Sequence, residues 1–357
     1  MIDLNKKNCF IIITPGFPES EKDTICLPYL QKFVLAHLQI NSSIDLIVLS
    51  FQYPFTSKEY KWHGVKIIPF NGANSKNPFT RLLLWFKVWQ KLKSIHNAYK
   101  IVGIFNQWLT ECSLIGLKFG RKYKIEAKSW LIGQDSNKTN KYIKLINPKP
   151  SEIISMSEEL CERLEKNHGL TSNFIAYNGI DENDFILLKQ QERDIDIIGV
   201  SSLIQLKRVD QWVDIIYALS RSHKNLKCVI IGDGILKDEI INKIKFFNLE
   251  ANISVMGYLP HKETLEYMNR SKILLHCSHS EGNSTVFSEA LRCGCFVVSY
   301  KVGFVYNIPK HLIGRHKDEL QLHCQTILNS NMIDHKYQKV NSMVDSYLKI
   351  MEIFTAK

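Results

Sequence analysis

The sequence predicts an α/β protein built from two doubly wound, Rossmann-like domains facing across a cleft. Three observations lead there. The chain has 357 residues, too many for one ordinary core and a length that suits two. Short β-rich apolar runs alternate with longer amphipathic stretches, and the runs are apolar almost without a break, as parallel strands covered on both faces are. The alternation starts afresh near residue 195, after YNGIDENDFILLKQQERD, a stretch with an Asn-Gly pair and a charge run.

In order, the expected strands of the first half are CFIIIT (9–14), IDLIVLS (44–50), VKIIPF (65–70), IVGIF (101–105), KSWLIG (128–133) and EIISMS (152–157). Each is short and rich in β-branched or aromatic residues. Those of the second half are DIIGVSS (196–202), KCVIIG (227–232), NISVMG (252–257), KILLHCS (272–278) and CFVVSY (295–300). Helical composition fills 158–167, 208–220, 235–247, 262–270 and 285–293. The expected division is 1–188 for the first domain, 189–335 for the second, and 336–357 for a terminal helix returning to the first. Ligands of such sheets bind at the carboxyl ends of the strands, where backbone N–H groups and helix N-termini favour anions.

Composition narrows the function. Hydrophobic residues make up 45% and charged residues 23%, a balance expected of a globular rather than a disordered chain. No apolar run approaches the ~20 residues that span a bilayer, and MIDLNKKNCFIIITPGF does not read as a secretory signal. The nine cysteines include no C-x-x-C pair and no Cys/His set at zinc spacing, so a reducing cytoplasm and no essential metal are expected. Neither G-x-G-x-x-G nor G-x-x-x-x-G-K-[ST] occurs, which leaves dinucleotide oxidoreductases and P-loop enzymes without support. Asp194-Ile195-Asp196 sits at the start of an expected strand, not at its end, and is read as strand entry. Lys and Arg outnumber Asp and Glu by 25 to 17 over residues 1–190, and the whole chain carries +11. A basic first half suits an anionic lipid or phosphorylated acceptor, or is simply a solvated surface; nucleic acid is not expected.

FTRLLLWFKVWQKLKSIHNAYK (79–100) is apolar and aromatic and carries Arg81, Lys87, Lys91 and Lys93. It either lies on anionic lipid or, the preferred reading, covers the first sheet with its lysines in solvent.

The stretch EGNSTVFSEALRCG (281–294) holds the most chemistry. After KILLHCS the chain leaves the sheet as HSEGNST, which places Glu281 in the loop at a strand's carboxyl end. Gly282, Asn283 and Ser284 suit a tight turn, VFSEALRC is helical in composition, and Gly294 is a helix stop. Glu289 then lies about one turn into the helix, from where both acids can face one cleft. A carboxylate accepts two sugar hydroxyls, so two carboxylates beside an anion-binding turn fit a sugar nucleotide.

SHSEGNSTVFSEALRCG also resembles the E-x7-E signature of family 4 glycosyltransferases, retaining enzymes of the two-domain GT-B fold. Further stretches resemble that family in its order: IIITPGFP (11–18), ISMSEELCERLEKNHGL with AYNGIDENDF (154–185), SLIQLKRVDQWVDII (202–216), VIIGDGILKDEI (229–240) and VMGYLPHKETLEYM (255–268). The resemblance implies roles. Glu281 would meet the donor sugar, Glu289 would hold the ribose, and Lys207 would neutralise the diphosphate that leaves. Backbone N–H groups of Asn283, Ser284 and Thr285 would hold phosphate or sugar. Gly232 and Gly234 would let the nucleotide approach the backbone, and Met256 and Tyr258 would border the base. Gly16, Gln134 and Asp135 are candidates on the first, acceptor-side domain; the second would hold the donor.

This chain departs from the family pattern at several positions. Ser202 stands where arginine is frequent, Arg208 replaces the motif glycine, Asn283-Ser284 replaces Phe-Gly, Ile132 replaces a histidine, and Val302–Phe304 replaces a Gly-Gly pair. Arg208 could supply the missing phosphate cation. The activity implied is transfer of a sugar from a UDP- or GDP-sugar to a glycan or polyprenyl-linked acceptor in surface polysaccharide synthesis. The sugar nucleotide is a co-substrate, and no cofactor is expected. The location implied is the cytoplasm, on the inner face of the membrane if the anionic surface binds. A GT-B sugar-nucleotide epimerase and a non-catalytic binding subunit are the alternatives.

Overall fold

The computed structural model describes residues 6–41, 43–186, 188, 191–303, 308–330 and 338–355. The chain divides into two units, one running to Asn178 and resuming at Met343, the other Gly179–Ser342.

In the first unit the strands are β1 (Asn8–Gly16), β2 (Asp45–Tyr53), β3 (Tyr60–Trp62), β4 (Val65–Pro69), β5 (Lys100–Gln107), β6 (Ala127–Leu131), β7 (Ile153–Ser155) and β8 (Phe174–Ile175). They lie in the order β3-β4-β2-β1-β5-β6-β7-β8, parallel except for the β3–β4 pair. Alternate residues of β1 and β2 feed separate cores. Phe10, Ile12, Leu46 and Val48 point to one face, and Ile11, Ile13, Ile47 and Leu49 to the other. That is why these strands read as unbroken apolar runs. Helices α1 (Pro28–Ile40), α2 (Pro78–Ala98), α3 (Glu111–Tyr123), α4 (Tyr142–Ile146) and α5 (Glu158–His168) accompany them. The second face is covered by α2 through Leu84, Val88, Leu92 and Ile95, and by α3 through Leu114, Leu117 and Phe119.

The second unit carries β9 (Ile195–Val200), β10 (Cys228–Ile231), β11 (Ile253–Gly257), β12 (Ser271–His276), β13 (Phe296–Tyr300) and β14 (His311–Gly314). Its helices are α6 (Val209–Ser220), α7 (Lys237–Phe246), α8 (His261–Asn269), α9 (Thr285–Arg292) and α10 (Lys317–Asn329). The sheet order is β11-β10-β9-β12-β13-β14, all parallel. The direction of winding therefore reverses between β9 and β12, the switch point at which doubly wound sheets bind ligands.

The final helix α11 (Met343–Thr355) belongs to the first unit. Phe354 meets Phe10 edge to face at 4.9 Å, and the Tyr347 hydroxyl lies 3.0 Å from Nδ1 of His37.

The division falls upstream of the expected boundary at 188/189, whose residue 189 lies outside the described residues. Ile180 and Phe185 are already part of the second core. Arg193, only 7% exposed, donates to the carbonyls of Ser271 and, at 2.7 Å, Cys293. A stretch with the charge of a linker is thus bound to the second unit by one buried guanidinium and two apolar side chains. Short edge strands such as β3, β8 and β14 went unforeseen because two to four residues carry too little periodicity to stand out.

Candidate functional site

The loops at the carboxyl ends of β9 and β12 meet at the switch point. After β9 a single 3₁₀ turn, Gln205–Lys207, lifts the chain into α6. After β12 the chain passes through Ser278, whose hydroxyl donates to the carbonyls of Leu206 and Ser280 and so ties the two loops together. Glu281 follows. Its Oε1 accepts from Nζ of Lys207 at 2.6 Å and lies 2.7 Å from Nε2 of His276, the last residue of β12. All three groups are largely shielded, with side-chain exposures of 20% for Lys207, 12% for Glu281 and 4% for His276. Burial opposes ionisation of Glu281. The hydrogen bond from His276 and the charge of Lys207 outweigh it, and the carboxyl is drawn down to about 2. Glu281 is therefore an anion at any physiological pH, with a cation beside it at the mouth of the sheet. Lys207 and His276 also line a small crevice with Gly199, Trp212 and Cys277.

Glu289 is placed differently. It sits one turn into α9, as expected, but its Oε1 lies 2.8 Å from Nε2 of His261 at the start of α8, and His261 Nδ1 is 3.6 Å from Asp184. The two glutamates thus have separate partners, one at the β9–β12 switch and one against α8. Between them, Ser284 is the buried residue preceding α9, and Thr285 is its first residue. Gly303 presses on this turn: a Cβ there would stand 3.1 Å from Cβ of Glu281. Phe304, the end of the expected Val302–Phe304 stretch, lies outside the described residues.

The remaining donor candidates follow the sheet edge outward. At the end of β10, Gly232 (φ +139°) has a reason unrelated to a ligand, because a Cβ there would fall 1.8 Å from the Ser201 carbonyl oxygen. Gly234 is likewise pressed against the carbonyl of Leu203, 2.5 Å from where its Cβ would be. Both glycines let the β10 loop lie on the β9 loop. Met256 and the 64% exposed Tyr258 flank Gly257 at the end of β11, and Gly257 accepts from the N–H of Gly232 at 2.8 Å. Arg208 adopts φ +50°, the left-handed conformation for which glycine is the natural choice, and its Nε points to Asp210 at 3.4 Å. That contact lies within its own turn.

Gly16, Gln134 and Asp135 belong to the other unit. Gly16 is buried at the end of β1, and Gln134 is exposed after β6. Asp135, the other polar candidate there, is 4% exposed and accepts the N–H groups of Leu109 at 2.9 Å, Gly133 at 2.7 Å and Ile132 at 3.2 Å. Burial pushes its pKa up against these bonds. It organises the turn after β6.

His276 and His261 were missed by sequence reading. Only the first left a signal: an ionisable residue directly after the apolar run Ile273–Leu275, in KILLHCS.

This fold, two parallel-stranded Rossmann-like units with the second switched at β9/β12, is that of the GT-B glycosyltransferases. Structures that share it include Anabaena HepE solved with UDP and glucose (TM-score 0.66, 15% identity, 96% of this chain and 94% of that one). The sucrose-phosphate synthase of Thermosynechococcus elongatus superposes with a TM-score of 0.69 at 13% identity, over 98% and 95% of the two chains. Residues 180–316 match the family model described as glycosyl transferases group 1. An N-acetylgalactosaminyltransferase of Campylobacter jejuni acting on a diphospho-undecaprenol-linked sugar is 31% identical over 165 residues, 44% of either chain. The Escherichia coli O-antigen biosynthesis glycosyltransferase WclY is 28% identical over 36% of this chain and 37% of its own. The chain thus aligns with less than half the length of these curated relatives.

Proposed function

We propose that the protein is a retaining glycosyltransferase of the family 4 type. It transfers a sugar from a UDP- or GDP-sugar to a glycan or polyprenyl-linked acceptor in surface polysaccharide synthesis at the cytoplasmic side of the membrane. The observation that carries this reading is the Lys207–Glu281–His276 cluster at the switch point of the second unit, inside the segment that matches the glycosyl transferase model. In this reading the donor lies along the carboxyl edge of that sheet. Lys207 stabilises the diphosphate as negative charge grows on the departing oxygen, without need of a metal ion. Glu281, ionised and held by His276, faces the sugar. Glu289, steadied by His261, accepts the ribose hydroxyls. Tyr258, Met256, Gly232 and Gly234 border the nucleotide, with the turn Gly282–Thr285 at its phosphates or sugar. No protein nucleophile is assigned, so the acceptor attacks from the side the diphosphate leaves. The acceptor-side residues of the first unit are Gly16, Gln134 and Asp135, the last through the turn that it organises. The relatives named for an undecaprenol-linked sugar and for O-antigen support the acceptor class.

The test is thermal unfolding against UDP, GDP, ADP, CMP and their sugar conjugates, because a ligand of the folded state raises apparent stability. A shift with one nucleotide family, lost in Glu289→Ala, is expected. Release of nucleoside diphosphate that requires an acceptor, abolished in Glu281→Ala and Lys207→Ala, separates a transferase from an epimerase or a binding subunit. Wild-type turnover in both variants would overturn the site. The anomeric configuration of the product decides retention.

A further inference from the structure

We infer that the amino-terminal half of α2 is a docking face for the surface of a bilayer that contains anionic phospholipid. The helix turns one apolar face inward and a second one outward. Leu84, Val88, Leu92 and Ile95 are buried against the first sheet. Phe79, Leu82, Leu83 and Phe86 stand at i, i+3, i+4 and i+7, one helical stripe, and are 70%, 59%, 48% and 60% exposed. Four large apolar side chains on adjacent turns form a contiguous patch of the kind that marks an interaction surface.

The stripe is rigidly mounted. Asn77 caps the helix by accepting the N–H of Phe79 at 2.9 Å. Arg81 lies over the rings of Trp85 and Tyr142, 5.6 Å from each centroid, and Trp85 donates to the buried Glu111 at 2.9 Å. Tyr142 opens α4, so the same contact brings up that short helix, where Leu145 is 57% exposed and Lys141 and Lys144 are exposed.

Charge selects the occupant. Residues 60–110 contain eight Lys or Arg and no Asp or Glu. Lys66 and Lys91 are engaged by Glu59, whereas Lys76 and Lys87, which flank the stripe in sequence, are exposed. Apolar side chains among lysines, with no acid between them, fit a lipid interface with negative head groups. No helix among the described residues is long and apolar enough to cross a membrane, so α2 lies on the surface instead of spanning it. This inference stands apart from the glycosyltransferase reading, since vesicle binding requires neither donor nor turnover.

The experiment is co-sedimentation of the purified protein with vesicles of phosphatidylcholine alone and of phosphatidylcholine mixed with phosphatidylglycerol. The wild type is expected to bind the mixed vesicles and to release them as salt is raised. Leu82→Ser/Leu83→Ser/Phe86→Ser changes only exposed positions and is expected to weaken binding more than tenfold with its unfolding temperature unchanged. Lys87→Glu/Lys144→Glu is expected to weaken it by at least about fivefold per charge. Equal binding to both vesicle types, no binding at low salt, or serine and wild-type proteins that bind alike would overturn the inference. So would a wild-type dimer in solution that the serine variant converts to monomer, since the stripe would then join two copies of the chain.

Discussion

Replacing Glu281 by Gln imitates the protonated acid while keeping an oxygen that Lys207 and His276 can reach. In the folded chain this carboxyl ionises at about 2, against its ordinary 4.5. A depression of that size corresponds to about 3 kcal/mol of stability. Its sign follows from the direction of the shift. The contribution is complete above the ordinary value near 4.5 and is lost as pH falls towards the folded value near 2. Linkage places about 2 kcal/mol of that loss between pH 7 and pH 3. The Gln variant cannot lose what it never had. At pH 7 it should therefore be less stable than the wild type by about 3 kcal/mol, and at pH 3 by only about 1 kcal/mol. Hydrogen exchange of the β9 and β12 amides at matched pH reads the second unit alone. A wild-type–variant difference that stays constant from pH 7 to pH 3 would refute the reasoning, because Glu281 would then not be the depressed acid.

Three further outcomes are expected. His276→Ala removes one of the two groups on Glu281 Oε1 and should lower turnover about tenfold, with His276→Gln recovering part of it by donating a hydrogen bond in its place; a pH–rate profile separates this from unfolding. Asp135→Ala leaves three N–H groups without their acceptor and should destabilise the first unit by about 2–4 kcal/mol. Tryptophan fluorescence reads that unit, which holds five of the six tryptophans, and the nucleotide-induced shift of the second unit should survive. Gly232→Ala drives a methyl into the Ser201 carbonyl and should destabilise the second unit by about 2 kcal/mol or more even without ligand; calorimetry of the free protein checks it.

Much of the fold was legible because its central strands are buried on both faces. CFIIIT and IDLIVLS have no polar side to confuse them with amphipathic helices, and both became strands within three residues of the expected ends. The site was legible where it is local. Glu281 after a strand and Glu289 one turn into a helix are consequences of spacing, and both sit where spacing puts them. The helix at 79–100 shows the limit. Its composition allowed a packed helix or one lying on lipid; the folded chain buries Leu84, Val88, Leu92 and Ile95 and leaves Phe79, Leu82, Leu83 and Phe86 exposed on the opposite side. Asp135 shows another. Its place in the loop was legible, but the backbone N–H groups that its carboxylate accepts were not.

By itself, the sequence determined the alternation of strands and helices, the restart near 195 and the identity of the charged candidates. Only the tertiary structure decided their partners. Lys207 and Glu281 are 74 residues apart and meet at 2.6 Å because β9 lies beside β12, and the same adjacency makes the last residue of β12 the second hand on that carboxylate. Likewise, Gly232 is required by the carbonyl of Ser201 on the neighbouring loop, and Glu289 turns to His261 because α8 lies next to α9. Strand order is a property of the whole sheet. Local propensity fixes where a strand begins and ends, but contacts between loops are set by which strands become neighbours, and those neighbours are chosen by the burial of the complete core.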